Sequence, residues 1–233
     1  RQDLNVSIAC GDRVEIKGCQ DLDWIPRIIQ LEMARQLHMY RLANKLRDEA
    51  DLPLLPPDRR DDQIPVENRV AKAVENRIPM RLHDVTSSFD DCTSTMVERA
   101  LAHGSLVKAI ILPGFTGKIG TKAIDEEDSQ LPRLGRELAS AAKLAGVAGI
   151  FHSDELPAYG IEQNQVDLIQ SKLALVENDA FVLCAAPEWQ ADLALESVIK
   201  RVRQSYHRIS QEVRNVVIRK GAPEDGTTTA MRP

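Results

Sequence analysis

Residues 1–18 read RQDLNVSIACGDRVEIKG, a stretch that holds two period-2 alternations. Asp3, Asn5 and Ser7 alternate with Leu4, Val6 and Ile8; beyond Cys10-Gly11-Asp12, Arg13, Glu15 and Lys17 alternate with Val14 and Ile16. Such alternation marks a half-buried strand, and Gly11, able to take positive φ, suits a short turn. The spacing predicts a β-hairpin in which Ser7 faces Glu15 and Asn5 faces Lys17. The odd-numbered polar residues then share one face, because a slip of one residue would turn that face into the core. Two readings of the face stand side by side. One is an ordinary solvated surface. The other is a site for a divalent cation and phosphate, since carboxylate, amide and hydroxyl oxygens suit Mg²⁺ and a lysine offsets phosphate charge.

Outward from the hairpin, residues 24–49 carry a helical stripe (Ile25, Ile29, Met33, Leu37, Tyr40) with Arg27, Arg35, Arg41 and Arg47 around it, and Pro26 is tolerated in the first turn. A proline-rich, charged stretch at 52–65 then marks a boundary. Residues 66–79 are weakly helical. A second unit begins near residue 81. Strands are predicted at 81–86, 106–112, 147–152 and 180–185, and helices at 95–103, 133–145, 163–175 and 188–207. Thr95 and Glu98 fit a capping box and Gly104 a helix stop. Strands interleaved with single helices predict an α+β fold, with a two-layer inserted domain. The tail from Glu212 is turn-rich and hydroxyl-rich. The organisation expected is residues 1–50 and 209–233 as pieces of one domain, 51–80 as a linker, and 81–208 as an insertion, which exposed loops tolerate well.

The 233 residues are 43% apolar, enough to bury a substantial core. No run approaches the roughly 18 apolar residues of a membrane span, and the start does not resemble a signal peptide. A cytoplasmic protein, or a piece of a longer chain, is expected. The four cysteines show neither CxxC pairing nor a histidine at metal spacing, so reduced thiols are expected. The net charge of −5 excludes a uniformly basic nucleic-acid binder. Between Lys200 and Lys220, however, seven basic residues face one acid. Arg203 and Arg208 there, and Lys118 in the glycine loop Pro113-Gly-Phe-Thr-Gly-Lys-Ile-Gly120, are the candidates for contact with nucleic-acid phosphates, a solvated helix face being the alternative. The acidic run Asp125-Glu-Glu-Asp128 would repel nucleic acid and should point away from it. The glycine loop lacks P-loop spacing. His152-Ser-Asp-Glu155 is a metal cluster or a turn capped by its own acids. No Ser-His-Asp set or activated cysteine stands out.

RQDLNVSI followed by RVEIKG and QDLD, with DGTTTAMRP at the far end, resembles the catalytic cradle of the archaeal GatE family of glutamyl-tRNA(Gln) amidotransferases. LPGFTGKIG, LGRELASAAKLAGVAGIFHSDELPAYGI and DAFVLCAAPEWQADLALESVI resemble that family's insertion (GAD) domain, which is similar to one in bacterial-type aspartyl-tRNA synthetases.

The resemblance implies a ligase-type reaction on tRNA(Gln) carrying glutamate: ATP and Mg²⁺ phosphorylate the glutamyl γ-carboxylate, and ammonia from the asparaginase-like D subunit of the amidotransferase displaces the phosphate. Heterodimers, or a dimer of heterodimers, are implied. Asp3 and Glu15 are then the metal ligands, Glu15 foremost. Lys17 joins them as catalytic, while Asn5 and Arg232 hold nucleotide or phosphate oxygens. The family's cradle also needs a stretch before RQDLN and further regions after MRP, so these 233 residues alone are expected to lack transamidase activity. The hairpin and tail, without their sheet partners, are expected to be less protected than strands 106–112 and 180–185. The alternative is a non-catalytic module that binds tRNA or a second protein of the enzyme.

Overall fold

In the computed structural model, which describes residues 2–120 and 133–231, the opening stretch forms an antiparallel pair, β1 (Gln2–Val6) against β2 (Val14–Cys19). The register differs from the expectation: Asn5 pairs with Glu15 and Val6 with Val14. The cause is a connection spanning residues 7–13 rather than 10–12. An even shift leaves the face assignment intact. Gly11 does not take a positive φ; it is needed for space. A methyl there would overlap the Gln36 side chain, whose amide donates to Val6 O (3.2 Å) and accepts from Ile8 N (3.2 Å).

The tail completes this sheet. β7 (Glu212–Val216) runs parallel to β2, and β8 (Thr228–Ala230) antiparallel to β7, in the order β1-β2-β7-β8. The expectation that hairpin and tail lack sheet partners is therefore overturned, because each pairs with the other. α1 (Ile25–Glu49) covers the sheet with Ile28, Leu31, Met39, Leu42 and Leu46, not with the predicted stripe; Met33 is exposed. The true face is displaced by one residue, roughly 100° around the helix, because Glu32, Arg35, Gln36 and Arg47 are buried along it. Residues read above as a linker pack here too. Leu55 is buried, with Asn44 Oδ1 accepting from its backbone N–H at 2.8 Å. Of the described residues this first unit holds 2–74, 133–137 and 203–231; the second holds 75–120 and 138–202. α2 (Ile64–Arg77) and α4 (Leu134–Lys143) each begin in the first and end in the second.

The second unit is built on β4 (Leu106–Leu112) and β6 (Ala180–Ala186), antiparallel over seven residues, with β3 (His83–Asp84) and β5 (Phe151–His152) at the edges in the order β3-β4-β6-β5. The predicted strands 81–86 and 147–152 thus shrink to two residues each. Short edges of this kind resist pairing with a further chain. α3 (Thr95–Ala102), α5 (Gln163–Leu173) and α6 (Glu188–Gln204) supply the helices. Val97, Val107, Ala109, Ile169, Phe181 and Leu183 form the core. The capping box at Thr95 is not made: Ser94 is the N-cap and Thr95 is already helical. Gly104, at φ +76°, ends α3 as expected. Two mixed helix-and-sheet units make the fold α+β.

Candidate functional site

Paired residues in neighbouring strands share a face, so the register of the first sheet fixes what its open side presents. Asn5, Glu15 and Val213 stand in one row; Lys17, Asn215 and Thr229 stand in the next. The opposite parity, Val14, Ile16 and Arg214, is buried under α1. Asn215 and Thr229 were missed in the sequence because nothing in the tail's turn-rich texture shows that its strand lies beside β2.

The Lys17 ammonium donates to Asp3 Oδ2 at 2.8 Å and to Glu15 Oε1 at 2.5 Å. Both carboxylates therefore converge on one positive charge. Those bonds, Asp3's foremost, hold the lysine pKa above its ordinary 10.5. Carboxylates already gathered round a cation, with an amide opposite Glu15, fit Mg²⁺, which takes hard oxygen donors and needs only one or two carboxylates when waters complete its shell. Among the described residues no group of three or more His, Cys, Asp or Glu is placed to hold a metal. A metal here would rest on the Asp3–Glu15 pair.

On the helix side of the same sheet lies a buried ion network. Arg35 donates to Glu32 (2.9 and 3.0 Å) and Glu212 (3.1 Å), while Arg214 donates to Glu137 (2.9 and 3.2 Å) and Glu212 (2.9 Å). Thr228 Oγ1 donates to Glu32 at 2.9 Å and accepts from Arg214 Nε at 2.8 Å. Burial opposes the charge on Arg35, but Glu137, Glu32 and Glu212 outweigh it and keep the guanidinium protonated. The network anchors β7 and β8 to α1 beneath the open face. One signal for it was present: Glu32, Arg35 and Gln36 interrupt the spacing between Leu31 and Met39 on one helical face.

The residues assigned to RNA fare differently. Arg208 is buried, chelating Asp62 and donating to the carbonyls of Cys10 (2.7 Å) and Pro56 (2.9 Å). Arg214 is buried in the network above, so the basic stretch is not a continuous surface; this corrects the phosphate-contact reading of Arg208. Arg203 is half-buried. Lys118 Nζ closes its own loop by donating to Gly114 O at 2.7 Å. Asp154 is no metal ligand: its carboxylate accepts from the backbone N–H groups of Gly117 (2.8 Å), Ile119 (2.8 Å) and Gly120 (3.0 Å), pinning that loop. Glu155 accepts from the His152 N–H (3.3 Å) and the Tyr159 hydroxyl (3.2 Å), and His152 is buried. Arg232 and the Asp125–Asp128 run lie outside the described residues.

Comparison with known proteins bears on what this face is for. Residues 1–126 match the GatB/GatE catalytic domain, and residues 97–195 match the GAD domain. The E subunit of glutamyl-tRNA(Gln) amidotransferase from Thermococcus gammatolerans is 40% identical over 233 residues; that of Pyrococcus furiosus is 41% identical over 233 and that of Methanocaldococcus jannaschii 36% over 235. Each match takes in 100% of this chain and 32% of the relative, so the chain spans about a third of those proteins' length. No helix among the described residues is long and apolar enough to cross a membrane. With the hairpin motifs inside the first match and the β4–β6 unit under the second, the chain belongs to the GatB/GatE catalytic-domain family.

Proposed function

We propose that this chain forms part of the catalytic cradle of a cytoplasmic, ATP-dependent amidotransferase that converts Glu-tRNA(Gln) to Gln-tRNA(Gln). In that reaction the glutamyl γ-carboxylate attacks the γ-phosphate of ATP, giving an acyl phosphate and ADP; ammonia from an asparaginase-like partner protein then displaces phosphate and leaves the amide. The observation that carries the reading is the convergence of Asp3 and Glu15 on the Lys17 ammonium, on the open face of a hairpin within the matched catalytic domain.

Asp3 and Glu15 would hold Mg²⁺, which when bound neutralises charge on the transferring phosphoryl group. Asn5, directly opposite Glu15, positions a phosphate or carboxylate oxygen through its side-chain amide. Lys17, bonded to both carboxylates, would have to move aside for a divalent ion, which would free its ammonium for a phosphate oxygen. The buried network fixes β7 beside β2 and so keeps Glu15 in register. In the full-length enzyme, Glu15→Ala is expected to abolish amidation while leaving tRNA affinity within about twofold. Retained amidation would show that the hairpin is not the metal site. A matched loss of tRNA affinity would favour the non-catalytic binding module instead.

A further inference from the structure

Asp3 meets Lys17 through a break in the β1–β2 ladder. Gln2 pairs with Cys19 but Leu4 with Ile16, so Asp3 alone is opposed by both Lys17 and Gly18. One residue facing two is a β-bulge, a device that re-aims a side chain, and Gly18 supplies the positive φ (+87°) there. The ammonium bonds to Asp3 across the strands and to Glu15 along its own strand, using two of its three donors. On the other flank of Lys17 runs β7, parallel to β2, with Asn215 in register beside the lysine. Asn215 is half-buried, and its carboxamide has no hydrogen-bond partner among the described residues. Val213, the β7 neighbour of Glu15, offers no side-chain acceptor, while Thr229 continues the Asn215 row on β8.

We propose that Asn215 is a positioning residue for Lys17: its carboxamide oxygen receives the ammonium when Asp3 and Glu15 release it. Under the function proposed above, that release comes when the two carboxylates take a divalent ion, because two cations in contact with one carboxylate pair repel each other. The lysine stem is flexible over four carbons. Neighbouring strands lie about 4.8 Å apart, so an in-register side chain on the same face is within its swing. An amide oxygen accepts from an ammonium without neutralising it. The positive charge therefore stays on the open face, one strand away from the carboxylates it has left. With an apolar residue at 215 the released ammonium would have only solvent, and its return to Asp3 and Glu15 would compete more strongly with the ion. The inference rests on the proposed function only for what displaces the lysine.

The test titrates Mn²⁺, followed by electron paramagnetic resonance, into the wild-type chain, Asn215→Leu, Lys17→Met and the variant carrying both changes. Asn215→Leu is expected to weaken Mn²⁺ binding about threefold, the size of one partly solvated hydrogen bond, and to change nothing once Lys17 is replaced. A merely structural role for Asn215 would lower affinity in both backgrounds; that result overturns the proposal, as does no change in either. The side-chain amide signals of the intact asparagine give a second measurement by nuclear magnetic resonance, without metal. Asp3→Ala with Glu15→Ala removes both acceptors that hold the ammonium, so the Asn215 amide signals should shift from their wild-type positions. Adding Lys17→Met should abolish that shift. Signals unmoved by loss of the carboxylates, or moved equally without the lysine, overturn the proposal. If the signals shift as stated but the wild type binds no Mn²⁺, the Asp3–Glu15 metal site falls alone. Mn²⁺ bound with an affinity indifferent to Asn215 overturns the role of Asn215 alone.

Discussion

Arg208 and Asp62 are joined by two parallel hydrogen bonds, Nε to Oδ2 at 2.8 Å and Nη2 to Oδ1 at 2.6 Å. The guanidinium also lies over the Tyr40 ring, 5.7 Å from its centroid, and is 7% exposed. It clamps residues 56–62 to the β1–β2 connection. Removing one partner of a buried pair strands the other, which costs about 3–5 kcal/mol. Arg208→Ala should lower stability by that order in urea unfolding, and any loss of RNA affinity should follow the loss of folded protein. A variant with wild-type stability and weakened RNA binding would restore Arg208 as a phosphate contact.

Glu137 accepts from both Arg214 (2.9 Å) and Arg35 (3.4 Å) while 6% exposed. Glu137→Ala leaves two buried guanidinium groups short of charge, and about 3–5 kcal/mol of stability should disappear. Hydrogen exchange should show the protection of β7 and β8 falling before that of β4 and β6, since only the first pair is held by this carboxylate. Equal loss in both sheets would refute the assignment.

Lys17 is bonded to both carboxylates, so under the proposed function it competes with a divalent ion for Asp3 and Glu15. Lys17→Met should therefore tighten Mn²⁺ binding, by about fivefold given the modest strength of solvent-screened pairs, while Glu15→Gln should weaken it. The measurement is a paramagnetic titration of free Mn²⁺. Weaker binding in Lys17→Met would mean that the ammonium supports the site rather than occupying it.

His38 is held below its ordinary pKa of 6.5, first by burial and then by the positive charge of Arg41. Below pH 6.5 the unfolded chain takes up a proton that the folded chain resists, so stability rises with pH through that window. It should be fully present above about pH 6.5 and decline as the pH falls toward the folded value. His38→Gln should flatten the dependence of the urea midpoint between pH 5 and pH 7.5; an unchanged slope would show that other groups govern it.

Cys19, Cys92 and Cys184 are buried, and burial pushes the Cys184 thiol up to about 12, whereas Cys10 is half-exposed. A disulfide reagent should find a single fast thiol in the native protein and four in urea. Cys10→Ser should remove the fast phase. Fast labelling that persisted would place another thiol within reach of solvent.

Residues 1–18 announced a ribbon with its polar groups on one side, because side-chain parity is a local property that survives an even shift in register. LVKAIIL and AFVLCA announced strands apolar enough for the core, and Leu195 to Ile209 a buried helical stripe, all buried or nearly so in the structure. The motifs likewise carried the family likeness. Register itself was not legible, since it depends on how residues 7–13 fold around Gln36. Nor was the fate of Arg35, Arg208 and Arg214: a charged side chain reads as solvated until its partner is known. Those partners include Glu212, Asp62 and Glu137, lying 177, 146 and 77 residues away along the chain. Local periodicity determined which side chains could share a face. Only the pairing of the tail with the hairpin decided what that face contains and which charges lie beneath it, because burial and ion pairing are made between segments distant in the chain.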